Sequence, residues 1–289
     1  MFKKVAVFGL GLLGGSICRG LKKINADIRI SAFGRNPVRL EPALKAHVVD
    51  DVGSFDSISL SGVELAVVST PVDSSIDIIR QVLSHRELSP DAVIIDVGSV
   101  KEKIIRSVER LDRAGQFIGC HPMAGSEKMG YEYSRDDLFE GSSVIITPHD
   151  RNRENDILAV RQFWEALKAL TIVITPEEHD LIVTYTSHLP HMVASSLVRV
   201  FHTFKQDHGS EDFRAFIGKG FLDVTRISSG SPDIWRDIAV LNRENICAAL
   251  DCMIEELGRL RNVLSGAEAD SKLLHDYFTG AKSIRDGLK

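Results

Sequence analysis

The sequence has few cysteines, and their spacing excludes the sites that cysteines usually build. Among 289 residues there are four: Cys18, Cys120, Cys247 and Cys252. They form neither a CxxC pair nor a zinc-finger pattern. Isolated cysteines of this kind are typical of reduced packing residues in a reducing compartment. We therefore expect no disulfide framework and no cysteine-based metal site.

The chain also lacks a basic excess and a long apolar run. Its 35 Lys and Arg residues face 40 Asp and Glu, giving a formal net charge of −5, which argues against nucleic acid or an anionic membrane as partner. No stretch approaches the roughly 18 uninterrupted apolar residues of a membrane-spanning helix. The apolar N-terminus is interrupted by glycines and is followed by no cleavage signal. We expect a cytoplasmic protein.

What the sequence does contain is apolar residues for a large core, 44% of the chain. In its first part, short β-branched runs alternate with helical patterns, which predicts an α/β fold with a doubly wound, Rossmann-type sheet. The predicted strands are 5–8, 28–33, 65–69, 93–97, 117–119, 144–147 and 172–175. The predicted helices are roughly 12–23, 38–46, 74–85, 101–114 and 155–170.

From about residue 177 onward the pattern is helical, with little strand signal. The long helical segments are 189–204 and 234–264, and the Ser/Gly/Pro cluster 228–232 is typical of a loop. We place the boundary near Pro176. This predicts one domain over 1–175 and a second, all-helical domain over 176–289.

A glycine motif after the first predicted strand indicates that the first domain binds a dinucleotide. Gly9, Gly11 and Gly14 form GxGxxG between a strand and a helix, the context in which this motif binds a pyrophosphate. Gly9 permits the tight turn, Gly11 lets the phosphates approach, and Gly14 lets the helix pack on the strand. The N–H groups of Leu12 and Leu13 are available at the helix N-terminus.

The end of the second predicted strand favours NADP over NAD. NAD-binding domains usually place Asp or Glu there to hold the ribose 2′-hydroxyl, and this chain has Gly34. Gly34 leaves room for a 2′-phosphate, and Arg35, followed by Asn36, can pair with it through two N–H groups. The alternative is a solvated Arg35 with NAD bound without the acidic residue.

Three polar segments follow predicted strands at the edge of the sheet where ligands of open α/β sheets bind. They are Ser69-Thr70-Pro71, the segment 96–101 with Ser99, and the segment 119–125 with His121. A histidine pKa near 6.5 suits the acceptance of a proton while hydride leaves for nicotinamide. The alternative is a buried structural histidine.

Six segments together resemble a known family. GLGLLGGS, STPVD, DVGSVK, HPMAGSEKMGYE, SHLPHMVA and GFLDVTRISSGSPDIWRDI are similar, in this order, to the prephenate and arogenate dehydrogenases of tyrosine biosynthesis. The resemblance runs from residue 5 to about 264. It implies an oxidoreductase that converts prephenate to 4-hydroxyphenylpyruvate, or arogenate to tyrosine, by oxidative decarboxylation with hydride transfer to NAD(P)⁺.

The resemblance implies roles for individual residues. His121 matches the catalytic residue that takes the proton of the ring hydroxyl as C4 gives up hydride, and Ser99 matches the serine that orients that hydroxyl. The residues implied in substrate binding are Ser126, Glu127, Ser187, His188, His191, Arg226 and Trp235.

Local patterns support parts of this assignment. Ser187 is a favourable N-cap and Pro190 is tolerated in a first turn, so a helix N-terminus there would favour the substrate carboxylates. Arg226 can hold a carboxylate through two N–H groups, with a surface arginine as the alternative. Glu127 is predicted to gate the pocket by pairing with Arg226.

Several alternatives stay open. GSEK at 125–128 resembles the prephenate-using members of the family and so favours prephenate, whereas Glu127 as a partner for an ammonium would favour arogenate. The β-hydroxyacid dehydrogenases and pyrroline-carboxylate reductases share this architecture, and a non-catalytic NADP sensor is a further reading. His188 and His191 have metal-ligand spacing but lack a third ligand, so we expect no metal.

The resemblance also implies an intertwined homodimer through the helical domain. Ala194, Ser195 and Ser196 would permit close helix packing there. We expect no regulatory domain after this one.

Overall fold

Eight strands form one sheet in the structure, a computed structural model that describes residues 1–125, 128–208, 213–265 and 271–288. The residues group into two compact units, Met1–Arg243 and Glu244–Lys289, and the sheet belongs to the first. Its strands are β1 (Lys4–Phe8), β2 (Arg29–Gly34), β3 (Asp51–Ser54), β4 (Leu65–Val68), β5 (Val93–Asp96), β6 (Phe117–Pro122), β7 (Ser143–Thr147) and β8 (Leu170–Val173).

The strand order creates a crevice at one edge of the sheet. The order is β3-β2-β1-β4-β5-β6-β7-β8, and every neighbouring pair is parallel except the antiparallel pair β6 and β7. The order reverses between β1 and β4, and doubly wound sheets bind ligands at the carboxyl ends of strands at such a reversal. The predicted Rossmann-type sheet is confirmed. The pattern missed β3, which is short, contains Gly53 and is only partly buried.

Helices cover both faces of this sheet. The helices between strands are α1 (Leu12–Ile24), α2 (Glu41–Lys45), α3 (Val72–Leu83), α4 (Glu102–Val108) and α5 (Glu154–Ala166). The predicted helix over 101–114 was too long, because α4 ends at Val108 and a 3₁₀ turn follows at Ala114–Gln116.

The core has two halves, one on each face of the sheet. Val5 and Val7 pack with residues of α1 and α5, whereas Ala6 and Phe8 pack with residues of α3 and α4. Successive side chains of a strand point to opposite faces. The near-continuous apolar strands of the sequence are therefore those of a sheet buried on both sides.

The rest of the described chain is helical, as predicted, but the predicted helix 234–264 is divided at Asn242 into two helices. No strand follows Val173 among the described residues, and the helices are α6 (Pro176–Val183), α7 (Leu189–Asp207), α8 (Lys219–Thr225), α9 (Pro232–Leu241), α10 (Arg243–Ser265) and α11 (Ser271–Asp286). In the second compact unit, α10 and α11 are the two helices. None of the helices in the described part of the chain combines the length and apolarity needed to span a membrane.

The predicted helix start at Ser187 is wrong. A π-helical turn at Thr184–His188 joins α6 to α7 without a break, and Ser187 lies inside it. The helix begins instead at Thr175, which forms a capping box with Glu178. The substrate-facing N-terminus expected at Ser187 is therefore absent. The turn ends two residues before Pro190, whose missing N–H removes one α-helical bond.

A buried ion pair ties β5, β6 and α4 together. Lys101 and Asp96 have 0% and 1% of their side chains exposed. The Lys101 ammonium donates to the Asp96 carboxylate and to the Cys120 carbonyl at 2.9 Å. Asp96 also accepts the backbone N–H groups of Gly98 at 2.9 Å and Cys120 at 3.1 Å. These bonds hold the strand that carries His121 in place.

Removing one partner of this pair is expected to destabilise the fold strongly. Lys101→Met leaves the Asp96 carboxylate buried without its counter-charge, a change that costs about 3–5 kcal/mol. Urea unfolding followed by circular dichroism measures it. Lys45→Met is the matched control, because Lys45 and Glu41 form an ion pair that is 77% and 45% exposed and exposed pairs contribute little. Equal unfolding midpoints for the two variants would contradict this account.

Candidate active site

The glycine loop has the geometry that a dinucleotide requires. Gly9 has a φ of 91°, a conformation that favours glycine. A Cβ on Gly14 would lie 2.2 Å from the Gly9 carbonyl oxygen, so only glycine fits against the strand. A Cβ on Gly11 would meet no atom within 4 Å, so space is open beside its backbone. The N-terminus of α1, with Leu12 and Leu13, follows directly and suits a pyrophosphate.

The other predicted cofactor residues lie at the same edge of the sheet. Thr70 packs against Gly9, and Pro71 precedes the first residue of α3. Gly34 ends β2 and is buried, whereas Arg35 and Asn36 are exposed. The aligned register of β1 with β2 and β4 brings these strand ends together. The group therefore fits a dinucleotide lying across the ends of three strands.

A cavity of about 200 Å³ combines residues of the sheet edge with residues of the helices. It is lined by Ser99, His121, Met123, Met129, Ser187, His188, Gly230, Ser231, Ile234, Trp235 and Ile238. The structure thus brings together five residues predicted from sequence, Ser99, His121, Ser187, His188 and Trp235, which come from separate segments of the chain. Two methionines and two isoleucines give the cavity apolar walls around a few polar groups, which is typical of small-molecule sites.

His121, His179 and Asp180 are linked by a buried series of hydrogen bonds, the proton chain. Its Nδ1 lies 2.8 Å from Nε2 of His179, and Nδ1 of His179 lies 2.7 Å from Oδ1 of Asp180. Asp180 also accepts the backbone N–H of Lys101 at 2.8 Å and that of Glu102 at 3.0 Å. All three side chains of the proton chain are buried.

The proton chain determines which ring nitrogen of His121 and of His179 carries a proton. Burial lowers the pKa of His179, so its ring is neutral at neutral pH. Because the Asp180 carboxylate accepts, the His179 proton is on Nδ1 and its Nε2 is an acceptor. His121 must then donate its Nδ1 proton, which leaves its Nε2 bare. A bare ring nitrogen beside a cavity is the state that a general base needs.

The surroundings of His121 keep it neutral. Burial lowers its pKa well below the ordinary 6.5, and the nearby His179, Lys101 and His188 lower it further. Burial likewise lowers the pKa of His188 to about 4. At neutral pH His121 therefore accepts a proton rather than carrying one.

The aromatic residue predicted in the pocket is held by the second histidine of SHLPH. The rings of His191 and Trp235 stack with centroids 3.4 Å apart, and the Trp235 ring meets the edge of His188 at 6.2 Å. His191 is buried behind Trp235 and is absent from the cavity lining. Across the described ranges, which omit 126–127, 209–212, 266–270 and 289, no three His, Cys, Asp or Glu residues are grouped to hold a metal ion.

Besides His191, one further predicted substrate residue, Arg226, is not among the described residues that line the cavity. Arg226 is exposed, and it begins a 3₁₀ turn, Arg226–Ser229, that leads into the lining residues Gly230 and Ser231. Ser126 and Glu127 lie outside the described residues. The carboxylate contact of Arg226 and its pairing with Glu127 stay predictions.

Sequence reasoning missed three residues of the site, His179, Asp180 and Asn242. Ser69, which the sequence placed at the sheet edge with Thr70 and Pro71, donates through Oγ to the Gly9 carbonyl at 2.5 Å and so holds the glycine loop. The adjacent histidine and aspartate after the capping box at Thr175 were a signal, but their meaning depends on a contact with His121, 58 residues earlier.

Comparison with known proteins identifies the family. Residues 17–173 match the family described as prephenate dehydrogenase, nucleotide-binding domain, and residues 175–279 match prephenate dehydrogenase, dimerization domain. The chain belongs to the prephenate dehydrogenase family. It is 35% identical to prephenate dehydrogenase of Bacillus subtilis over 98% of this chain and 76% of the relative. It is 27% identical to cyclohexadienyl dehydrogenase of Zymomonas mobilis over 100% and 97% of the two chains.

Solved structures of this family share the fold. Prephenate dehydrogenase from Aquifex aeolicus, in complex with hydroxyphenyl propionate and NAD⁺, superposes with a TM-score of 0.90, 31% identity and coverage of 100% of this chain and 99% of that one. Arogenate dehydrogenase from Synechocystis gives 0.80, 26% identity and coverage of 99% and 100%. A prephenate dehydrogenase family member is an oxidoreductase, and this chain has the family's nucleotide-binding domain.

Disrupting the proton chain at its far end is expected to slow turnover. In Asp180→Asn, the carboxylate is replaced by an amide whose NH₂ group is a donor, although the neighbouring N–H groups and His179 are themselves donors. The positions of the ring protons on His179 and His121 are then no longer fixed. We expect kcat to fall toward the roughly 10²–10⁴-fold that a general base contributes. Steady-state kinetics across pH measures it. The unaltered enzyme should keep a flat kcat/KM from pH 6.5 upward, because the His121 pKa lies below that value.

Asp50→Asn is the matched control for that variant. Asp50 is also a partly buried carboxylate, paired with Lys22 at 2.9 Å and accepting the Ile30 N–H at 2.8 Å, but it lies away from the cavity. Its replacement should lower stability without changing kcat. Equal kcat losses in both variants would show a general folding effect and contradict the proton chain.

Proposed function

We propose that the chain catalyses the oxidative decarboxylation of prephenate to 4-hydroxyphenylpyruvate with hydride transfer to NADP⁺. The observation that carries this proposal is the bare Nε2 of His121, directed by His179 and Asp180 and placed beside a small cavity at the cofactor edge of the sheet. A dehydrogenase of this type needs a base for a hydroxyl proton next to a hydride acceptor.

The proposed reaction uses the residues as follows. Ser99 orients the ring hydroxyl, and His121 Nε2 takes its proton while C4 releases hydride. The glycine loop would hold the pyrophosphate of the dinucleotide, whose nicotinamide would supply the hydride acceptor. The C4 oxygen becomes a carbonyl. The ring carboxylate then leaves as CO₂, and its electron pair moves through the ring onto the C4 oxygen, which takes up a proton and becomes the hydroxyl of the aromatic product.

The proton chain supports this step electrostatically. When His121 gains a proton, its Nδ1 proton can move along the 2.8 Å contact to His179. The positive charge then lies beside the Asp180 carboxylate, 2.7 Å from the His179 ring. Burial disfavours a positive charge and so keeps His121 neutral before the reaction. After the proton transfer, the Asp180 carboxylate offsets this unfavourable effect of burial.

Prephenate is preferred to arogenate in this proposal. The 35% identical relative and the structure with a TM-score of 0.90 are both prephenate dehydrogenases. Arogenate is the second candidate, supported by the arogenate dehydrogenase and cyclohexadienyl dehydrogenase relatives. The two substrates differ at one side chain, which carries a keto group in prephenate and an ammonium in arogenate.

The assembly proposed is a homodimer through the helical domain, over 176–289, with the dinucleotide domain over 1–175. The dimerization-domain description of the match at 175–279 supports it. A cytoplasmic location stays a prediction from the sequence.

A two-by-two assay tests the reaction. Prephenate or arogenate is combined with NAD⁺ or NADP⁺, and reduced nicotinamide is followed by absorbance. We expect turnover with prephenate and NADP⁺, and a loss of roughly 10²–10⁴-fold in His121→Asn with dinucleotide affinity unchanged. Silence in all four combinations with dinucleotide binding intact would contradict the reaction, and unchanged turnover of His121→Asn would contradict the role of His121.

Cofactor preference is expected to depend on Gly34 and Arg35. A Cβ on Gly34 would meet Leu40 at 3.4 Å, so Gly34→Asp is sterically tolerated and should repel a 2′-phosphate. Arg35→Ala removes a charged hydrogen-bond donor and should lower kcat/KM for NADP⁺ about 10- to 100-fold, with little change for NAD⁺. Arg29→Ala, at the opposite end of β2, is the control. Equal effects on both cofactors would contradict the NADP proposal.

A further inference from the structure

Asn242 lies at the junction of α9 and α10 and is 4% exposed. Its side-chain Nδ2 lies 3.1 Å from the Asp180 carbonyl oxygen, 2.8 Å from Thr184 Oγ1 and 3.1 Å from His188 Nδ1. These three partners follow one another along α6 and the π-helical turn. Asn242 therefore contacts the segment that carries both the proton chain and His188.

The amide orientation of Asn242 follows from its partners. A backbone carbonyl oxygen only accepts, so the amide nitrogen, not the oxygen, faces Asp180. Thr184 Oγ1 donates its own proton to that carbonyl at 2.6 Å, which leaves its lone pairs for Asn242. The two amide hydrogens are thus shared among three acceptors, the Asp180 carbonyl oxygen, Thr184 Oγ1 and His188 Nδ1.

This arrangement fixes the tautomer of His188. Its Nδ1 accepts from Asn242, and burial lowers its pKa to about 4, so the neutral ring carries its proton on Nε2. His188 lines the same cavity as His121. The cavity is therefore flanked by two neutral histidines of opposite character, an acceptor at His121 and a donor at His188.

We propose that Asn242 is a positioning residue that holds His188 in the Nε2–H tautomer, so that His188 donates a hydrogen bond to a substrate oxygen. The identity of that substrate rests on the proposed function. Prephenate offers carboxylate, keto and hydroxyl oxygens to such a donor, whereas an ammonium offers no acceptor. Asn242 acts through His188 and does not itself contact substrate.

Asn242→Asp inverts the arrangement and tests the proposal. A carboxylate accepts from His188 Nδ1, so the neutral ring moves its proton there and presents a lone pair to the cavity. We expect KM for prephenate to rise about 10- to 100-fold at pH 8, with a smaller change in kcat. KM should then fall as the pH is lowered, because the doubly protonated ring regains Nε2–H. In Asn242→Ala both neutral tautomers are allowed, and KM should rise by less.

Asn152→Ala is the matched control. Asn152 is a partly buried asparagine whose Nδ2 bridges the carbonyls of Gly115 and Phe117, so its loss removes comparable bonds away from His188. It should lower the unfolding midpoint and leave KM unchanged at every pH. A KM for Asn242→Asp that matches this control would overturn the proposal.

The tautomer is measured directly and without substrate. Long-range ¹H–¹⁵N correlation spectra of labelled histidine, assigned with His188→Gln, distinguish the two neutral rings. We expect Nε2–H in the unaltered protein and Nδ1–H in Asn242→Asp. Nδ1–H in the unaltered protein would overturn the role of Asn242 whatever the substrate. Absent turnover of prephenate by the unaltered protein would overturn the proposed reaction alone, since the spectra still decide on Asn242.

Discussion

The carboxylate of Asp180 joins the sheet domain to the helices and orders the protons of the site. It accepts the N–H groups at the start of α4, 79 and 78 residues earlier in the chain, together with the proton on His179. Because this acceptor is fixed by backbone donors, the direction of every following hydrogen bond is determined. His179 can only accept from His121, and His121 can only present a bare nitrogen.

A second buried carboxylate, Asp96, acts on the strand that carries His121. It accepts the Cys120 N–H and binds Lys101, so it positions the strand while Asp180 positions the proton. Lys101 and Asp180 have opposite effects on a positive charge in the proton chain. Lys101 and burial disfavour a charged His121, and in the proposed reaction Asp180 would stabilise the proton once it has moved toward His179. The two buried carboxylates thus suit the proposed role of His121 as a base.

The parts of the site that the sequence predicted are those with local causes. The glycine loop depends on conformations and close approaches within a few residues, and Gly9 and Gly14 have them. The helix start predicted at Ser187 failed because α6 already provides the preceding turn, so a good N-cap residue ends up inside a π-helical turn. The strand β3 was missed because its four residues, one exposed and three half-buried, include a glycine and carry almost no periodic signal.

The sequence by itself determined the alternation of strands and helices, the dinucleotide loop, the placement of His121 at a strand end and the family to which these segments belong. Only the tertiary structure decided which nitrogen of each histidine carries the proton. The reason is that a tautomer is set by the partner of the ring, and the partners are distant along the chain. His179 is 58 residues from His121, and Asn242 is 54 residues from His188.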